Sequence, residues 1–208
     1  MTEQNKVQWI YSSKDRDELQ ARYDEWAADY DADLDRDYGY LGPQRGAEIL
    51  DKYTSPGARV LDAGAGTGLV GAALKAMGYG SIVAMDLSQG MLDEAKKTGA
   101  YEGLDQMVLG ETLGYETGAF DATICIGTFT LGHAPASGLD ELARVTKSGG
   151  HIVYSVRADV FEENGFRAKH DELAAAGKIT VVEGTEPEHL LPRGEPELRH
   201  QFWVLRVS

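Results

Sequence analysis

Residues 60–68 read Val-Leu-Asp-Ala-Gly-Ala-Gly-Thr-Gly, and Asp86 follows eighteen positions after Gly68, closing the stretch Ile-Val-Ala-Met-Asp. No other feature of the chain restricts its fold so tightly. Val60 and Leu61 supply a short apolar strand, and Gly64, Gly66 and Gly68 let the backbone turn sharply with room for a ligand against it. A helix-forming run, Leu69 to Met77, comes next, and the apolar stretch Ile82 to Met85 ends in a carboxylate. Strand, glycine turn, helix, strand and acid make one βαβ unit. In such a unit Asp86 stands beside the glycine loop and can accept hydrogen bonds from a ribose diol. The pattern points to a nucleoside cofactor at the carboxyl ends of parallel strands; a glycine turn without a ligand is the alternative.

Glycine spacing separates the cofactor classes. A dinucleotide site uses Gly-x-Gly-x-x-Gly, with a helix N-terminus aimed at a pyrophosphate. Here the spacing is Gly-x-Gly-x-Gly, and position 69 is leucine. Leu61 to Gly68 resembles motif I of the class I methyltransferases that use S-adenosyl-L-methionine (SAM) and release S-adenosyl-L-homocysteine. The resemblance implies that Asp62, Gly64, Ala65, Gly66 and Gly68 wrap the amino-acid end of the cofactor, with Asp62 and Gly64 nearest its ammonium group. Met85 to Ala95 resembles the family's second motif, which implies Asp86 on the ribose, Leu87 against adenine and Met91 over the ring. Leu109-Gly110-Glu111-Thr112 is similar to the segment where an acid meets the adenine amino group and a backbone N–H meets the ring. The family more often has Asp where this chain has Glu111. Phe120 to Gly127 resembles the fourth strand, with Gly127 facing the methionine part. Leu139 to Val156 is similar to the family's helix, Lys-x-Gly-Gly turn and fifth strand. Together these motifs span roughly residues 58–157. The two ends of the chain are similar to a small methyltransferase-like group, the Williams–Beuren-region type.

The resemblance, together with the strand–helix alternation, implies a Rossmann-like α/β fold: a doubly wound, seven-stranded, mostly parallel sheet, with the antiparallel last strand of that family and an N-terminal helical cap. The 208 residues suit a single domain, with a cap or lid over 1–56 and a cofactor-binding core over 57–208. An amphipathic helix is expected over 13–31, where Leu19, Tyr23, Trp26, Ala27 and Tyr30 share a face. The four aspartates between Asp31 and Asp37 are expected in solvent, and a second helix near 44–53. Strands are expected near 59–63, 81–85, 106–109, 120–126 and 150–156, in alternation with helices. A helix near 163–176 and strands near 178–183 and 198–207 complete the chain. The three prolines between Gly184 and Glu197 suggest an exposed loop.

Charge and composition narrow the partners. A net charge of −14 with no basic stripe disfavours nucleic acid and favours a small-molecule methyl acceptor. The polar N-terminus, the lack of a long apolar run and a single cysteine, Cys125, point to a cytoplasmic protein without disulfide or membrane span. Monomer and homodimer both stay open. No cysteine pair accompanies His170, His189 or His200, so no metal site is expected.

Gly127 to His133 follows the fourth strand at the ligand edge. His133 is the candidate general base there, because an unperturbed imidazole titrates near neutrality; a solvent or capping histidine is the alternative. Thr128, Phe129 and Arg157 are candidate acceptor contacts, as are Trp26, Tyr30 and Tyr40 from the cap; Tyr23 resembles a cofactor-covering aromatic. A core or surface role is the alternative for each. Two other functions compete: a nicotinamide-dependent oxidoreductase, for which no Tyr-x-x-x-Lys pair is found, and a non-catalytic SAM-binding regulatory protein.

Overall fold

Four helical segments precede the first strand in the computed structural model, which describes residues 5–208; the polar opening at 1–4 lies outside the described residues. Helix α1 (Lys6–Tyr11) is capped by Asn5, whose side chain accepts from Gln8 N. Helix α2 (Arg16–Trp26) starts where Asp15 accepts from Glu18 N, with Asp17 and Glu18 in its first turn against the positive end of the helix dipole. Helix α3 (Tyr30–Asp33) is one turn long and runs into a π-helical turn over 34–38; α4 (Gly42–Asp51) follows, opened by Pro43.

The single helix expected over 13–31 is therefore broken after Trp26. That indole is buried and donates to Asp33 Oδ2 at 2.8 Å, which draws the chain back on itself. The acidic run is exposed as expected at Asp31, Asp35 and Asp37, with Asp33 half-buried, but most of it is also hydrogen-bonded. Asp31 accepts from the Thr67 hydroxyl, Asp33 from Trp26 and Arg36, and Asp37 from Arg36. The Asp35 side chain is the most open of those in ion pairs, 93 % exposed.

The core then alternates strand and helix: β1 (Arg59–Ala63), α5 (Leu69–Ala76), β2 (Ser81–Asp86), α6 (Gln89–Lys97), β3 (Gly103–Gln106), β4 (Phe120–Phe129), α7 (Gly138–Val145), β5 (Thr146–Arg157), α8 (Ala158–Glu163), α9 (Phe166–Ala175), β6 (Ile179–Gly184) and β7 (His200–Val207). The seven strands lie in the order β3-β2-β1-β4-β5-β7-β6. The first five are parallel, and β7 is antiparallel to both β5 and β6. The Rossmann-like sheet expected from the sequence is the one observed.

Successive residues of β1 enter opposite layers. Val60 packs with Ala47, Leu50, Val70 and Leu74, while Leu61 packs in the layer that holds Leu139, Leu142 and Val145. Burial of both faces explains why these strands read as apolar runs rather than as alternating ones. A third cluster, with Val7, Ile10, Leu19, Trp26, Leu34 and Leu191, holds the N-terminal helices together.

Three boundaries differ from expectation. Strand β3 lies at 103–106, not 106–109, because its pairing with β2 ends where Gln106 meets Asp86. The apolar run Met107 to Leu109 leaves the sheet and lines a cavity instead. Gly165, at φ 78°, separates α8 from α9. The segment between Gly184 and Glu197 is not simply exposed: Leu190 and Leu191 are buried, and Arg193 N donates to Tyr38 O. Chain order reverses between β1 and β4, and a crevice opens at their carboxyl ends, as in other doubly wound sheets.

Candidate functional site

The crevice deepens into a cavity of about 530 Å³, roofed by the N-terminal helices. Its floor is the turn after β1. Gly64 has φ 75°, and a Cβ there would lie 2.1 Å from Thr128 Oγ1, so loop and β4 approach too closely for any side chain. At Gly66 a Cβ would meet nothing within 4 Å, so the space above the loop is open. Gly68 instead lies against Ala95 and Tyr101, outside the cavity wall, where it serves helix packing.

Asp86, at the end of β2, is held by two backbone N–H groups: Gly66 N donates to Oδ2 at 2.8 Å and Ser88 N to Oδ1 at 2.9 Å. Each oxygen keeps a lone pair for a further donor. Burial raises its pKa above the ordinary value, against these hydrogen bonds, and the Asp24 charge raises it too. Leu87 and Met91 line the wall beside it, followed by Met107, Leu109, Gly110 and Glu111.

Asp62 sits differently. It is wholly buried beneath the loop and does not line the cavity. Tyr101 donates to its Oδ2 at 2.7 Å, while Oδ1 has no partner among the described residues. Burial pushes its pKa up to about 7. Glu111 is drawn to the rim, where it pairs with Arg16 of α2. Thr112 is exposed and lies outside the wall.

Tyr23, Tyr30 and Tyr40 enter the cavity from the cap. Tyr23 and Tyr30 meet edge to face with centroids 6.3 Å apart. The Tyr40 hydroxyl occupies the space that a side chain at Gly127 would need, 2.6 Å from its Cβ position. Gly127 N donates to Ser155 Oγ at 2.8 Å, which fixes the end of β4. Thr128 and Ile126 continue the wall.

His133 lines the same cavity, but not as a free base with a near-neutral pKa. Its Nδ1 lies 2.8 Å from the Leu131 carbonyl oxygen and its Nε2 lies 2.8 Å from the Tyr23 hydroxyl. Burial, aided by the Arg157 charge and opposed by the Leu131 hydrogen bond, pushes its pKa down to about 4. The imidazole is thus neutral at physiological pH.

Three candidate acceptor contacts fall outside the cavity. Trp26 is packed in the cap cluster, and Phe129 lies in the core against Tyr154 and Phe166. Arg157 is buried, bonded to Asp159, and stacked over the Tyr11 ring at 5.0 Å. Large apolar or planar side chains at the ends of helices and strands read alike from sequence whether they face a ligand or the core.

Sequence reasoning missed the residues that fasten the roof. Asp24 accepts from Ser88 Oγ and, at 2.9 Å, from Gly90 N. Asp31 accepts from Thr67, and Tyr11 meets the His133 ring edge to face at 5.8 Å and Thr130 Oγ1 at 3.1 Å. Ser88 carries a readable signal, since it caps α6 by accepting from Met91 N. The two aspartates carry none beyond their charge.

A family model described as a methyltransferase domain matches residues 61–154. Human methyltransferase-like protein 27 is 36 % identical over 163 residues, 74 % of this chain and 65 % of that protein. The demethylmenaquinone methyltransferase of Clavibacter sepedonicus is 42 % identical over 100 residues, 47 % of this chain and 40 % of that enzyme. The chain therefore spans less than two thirds of the length of either relative. A TehB-like SAM-dependent methyltransferase from Corynebacterium glutamicum superposes with a TM-score of 0.65 at 18 % identity, covering 90 % of this chain and 99 % of that one.

Proposed function

Because the chain belongs to the class I SAM-dependent methyltransferases, we propose that it transfers a methyl group from SAM to a small-molecule acceptor in the cavity beneath its helical cap. The observation that carries this reading is Asp86, fixed by Gly66 N and Ser88 N beside a loop with open space above it. Such a carboxylate suits a ribose diol, and a glycine loop without side chains suits a flexible amino-acid tail. The residues present fit the cofactor on those two grounds, and three tyrosine rings near the loop suit a sulfonium, a cation that aromatic faces attract.

In this reading Asp86 holds the ribose, Leu87 and Met91 sandwich the adenine, and the loop from Gly64 to Gly66 holds the methionyl end. SAM supplies an already activated methyl group when bound. The chain's own contribution is placement. Tyr23, Tyr30 and Tyr40 exclude water and orient the acceptor, and the fixed backbone at Gly127 and Thr128 sets how close it comes. Alignment of this kind is worth up to about 7–11 kcal/mol of barrier.

A small acceptor is supported by the size of the cavity, by the acidic surface, and by the name of the Clavibacter relative, an enzyme of demethylmenaquinone methylation. Incubation with methyl-labelled SAM and a panel of phenols, alcohols, amines and thiols, beside transfer RNA and a protein extract, tests the reading. Label should enter a small molecule. Label confined to RNA or protein would overturn the small-molecule acceptor, and SAM binding without any transfer would favour the regulatory alternative.

A further inference from the structure

In a neutral ring the hydrogen bonds at His133 have only one possible direction. The Leu131 carbonyl accepts and cannot donate, so Nδ1, 2.8 Å away, carries the imidazole proton. The ring is neutral, and its Nε2 is therefore an acceptor. The only hydrogen between Nε2 and Tyr23 Oη, 2.8 Å apart, is the phenol's own. Tyr23 must point its hydrogen at His133 and turn bare lone pairs into the cavity.

Burial and the Arg157 charge hold the ring neutral, against the Leu131 carbonyl, which favours the protonated form. The edge of Tyr11 faces it at 5.8 Å and that of Tyr23 at 5.7 Å, and the Arg157 guanidinium, stacked over Tyr11, opposes a second positive charge. No carboxylate bonds to the ring among the described residues. Tyr30 and Tyr40 complete the pattern. Burial keeps both phenols protonated, and neither finds a hydrogen-bond partner among the described residues, so both remain donors. The three tyrosines thus offer one obligate acceptor and two free donors; of the charged side chains, Asp86 stands on the glycine-loop side, and Lys14, Asp15, Arg16 and Glu111 stand on the segment opening α2 and on the loop paired to it.

We propose that Leu131, acting through His133 as a positioning residue, makes Tyr23 an obligate hydrogen-bond acceptor, so that the cavity takes a neutral hydroxylated molecule and rejects an anion. The acceptor's O–H lies on Tyr23 Oη, and a second oxygen of the same molecule takes the phenol hydrogen of Tyr30 or Tyr40. A carboxylate or thiolate would meet the Tyr23 lone pairs head-on. This deepens the methyltransferase reading and rests on it for the identity of the site as an acceptor site.

Two measurements on the full chain test it. In the ligand-free protein, nitrogen-15 NMR of labelled histidine should find His133 protonated at Nδ1 and bare at Nε2, unchanged between pH 5.5 and 9. Protonation at Nε2 would overturn the proposal whatever the cofactor. Calorimetry on protein loaded with S-adenosylhomocysteine then compares catechol with benzoate. Catechol should bind the tighter, and Tyr23→Phe should weaken it about fivefold, the worth of one neutral hydrogen bond. His133→Ala frees the Tyr23 hydrogen to turn inward, so the preference for catechol over benzoate should fall at least about threefold. His133→Gln, whose amide oxygen can replace Nε2, should restore it. An unchanged preference in His133→Ala, or binding of neither probe by the loaded protein, would overturn the proposal. Absence of S-adenosylhomocysteine binding would instead strike the methyltransferase reading and leave the NMR result standing.

Discussion

At the scale of single residues, the site is made by atoms that have already spent part of their bonding capacity. Asp86 gives two lone pairs to the backbone and keeps the others for a ligand. If Asp86 holds the ribose as proposed, replacing it with alanine removes two charge-assisted hydrogen bonds, and SAM affinity should fall by more than about tenfold in calorimetry. Gly64→Ala forces a Cβ onto Thr128 at a left-handed φ of 75°; a loss of about 1–3 kcal/mol is expected in denaturant unfolding. Asp62 illustrates a cost rather than a gain. Its folded pKa of about 7 lies above the ordinary 3.8, so between those values the unfolded chain ionises while the folded one holds its proton. Stability from this group is full below about pH 4 and declines as pH rises towards 7. Asp62→Asn should flatten that part of the melting-temperature profile; a slope equal to that of the parent protein would remove Asp62 as its source. The sequence announces Asp62 and Asp86 equally, as acids closing β1 and β2. It does not tell that Tyr101 would rise beneath the loop to take one of them.

At the scale of elements, the cap is attached to the loops that border the crevice. Asp24 in α2 bonds the start of α6, Asp31 in α3 bonds the glycine turn, Arg16 pairs with Glu111, and Tyr23 meets His133. The strand and helix alternation of the core was legible because buried parallel strands are short apolar runs with glycine turns between them. Cap geometry was not, because a Leu-Tyr-Trp stripe specifies an apolar face and leaves open what covers it. Met107 to Leu109 read as strand for the same reason: apolarity marks burial, and the end of pairing between Gln106 and Asp86 decides where sheet gives way to cavity wall. Asp24→Ala unfastens α2 from Ser88 and Gly90. Limited proteolysis should then cut within residues 12–40 sooner than in the parent chain, and S-adenosylhomocysteine should slow the cut; equal cutting rates would show that the cap is held by its apolar cluster alone.

At the scale of the whole molecule, one sheet reversal places a crevice between β1 and β4, and the N-terminal helices close it into a chamber lined by aromatic rings. Among the described residues no helix is long and apolar enough to cross a membrane. In the proposed function the acidic net charge and the enclosed site act together, the one disfavouring polyanions and the other limiting what fits. The account stands on the identity of the molecule that fills the crevice. Titration calorimetry of the full chain with S-adenosylhomocysteine and with NAD, repeated on Asp86→Ala, addresses it directly. We expect one-to-one binding of the former, weakened more than about tenfold by the substitution, and no heat from the dinucleotide. Binding of NAD with no response to S-adenosylhomocysteine would contradict the account.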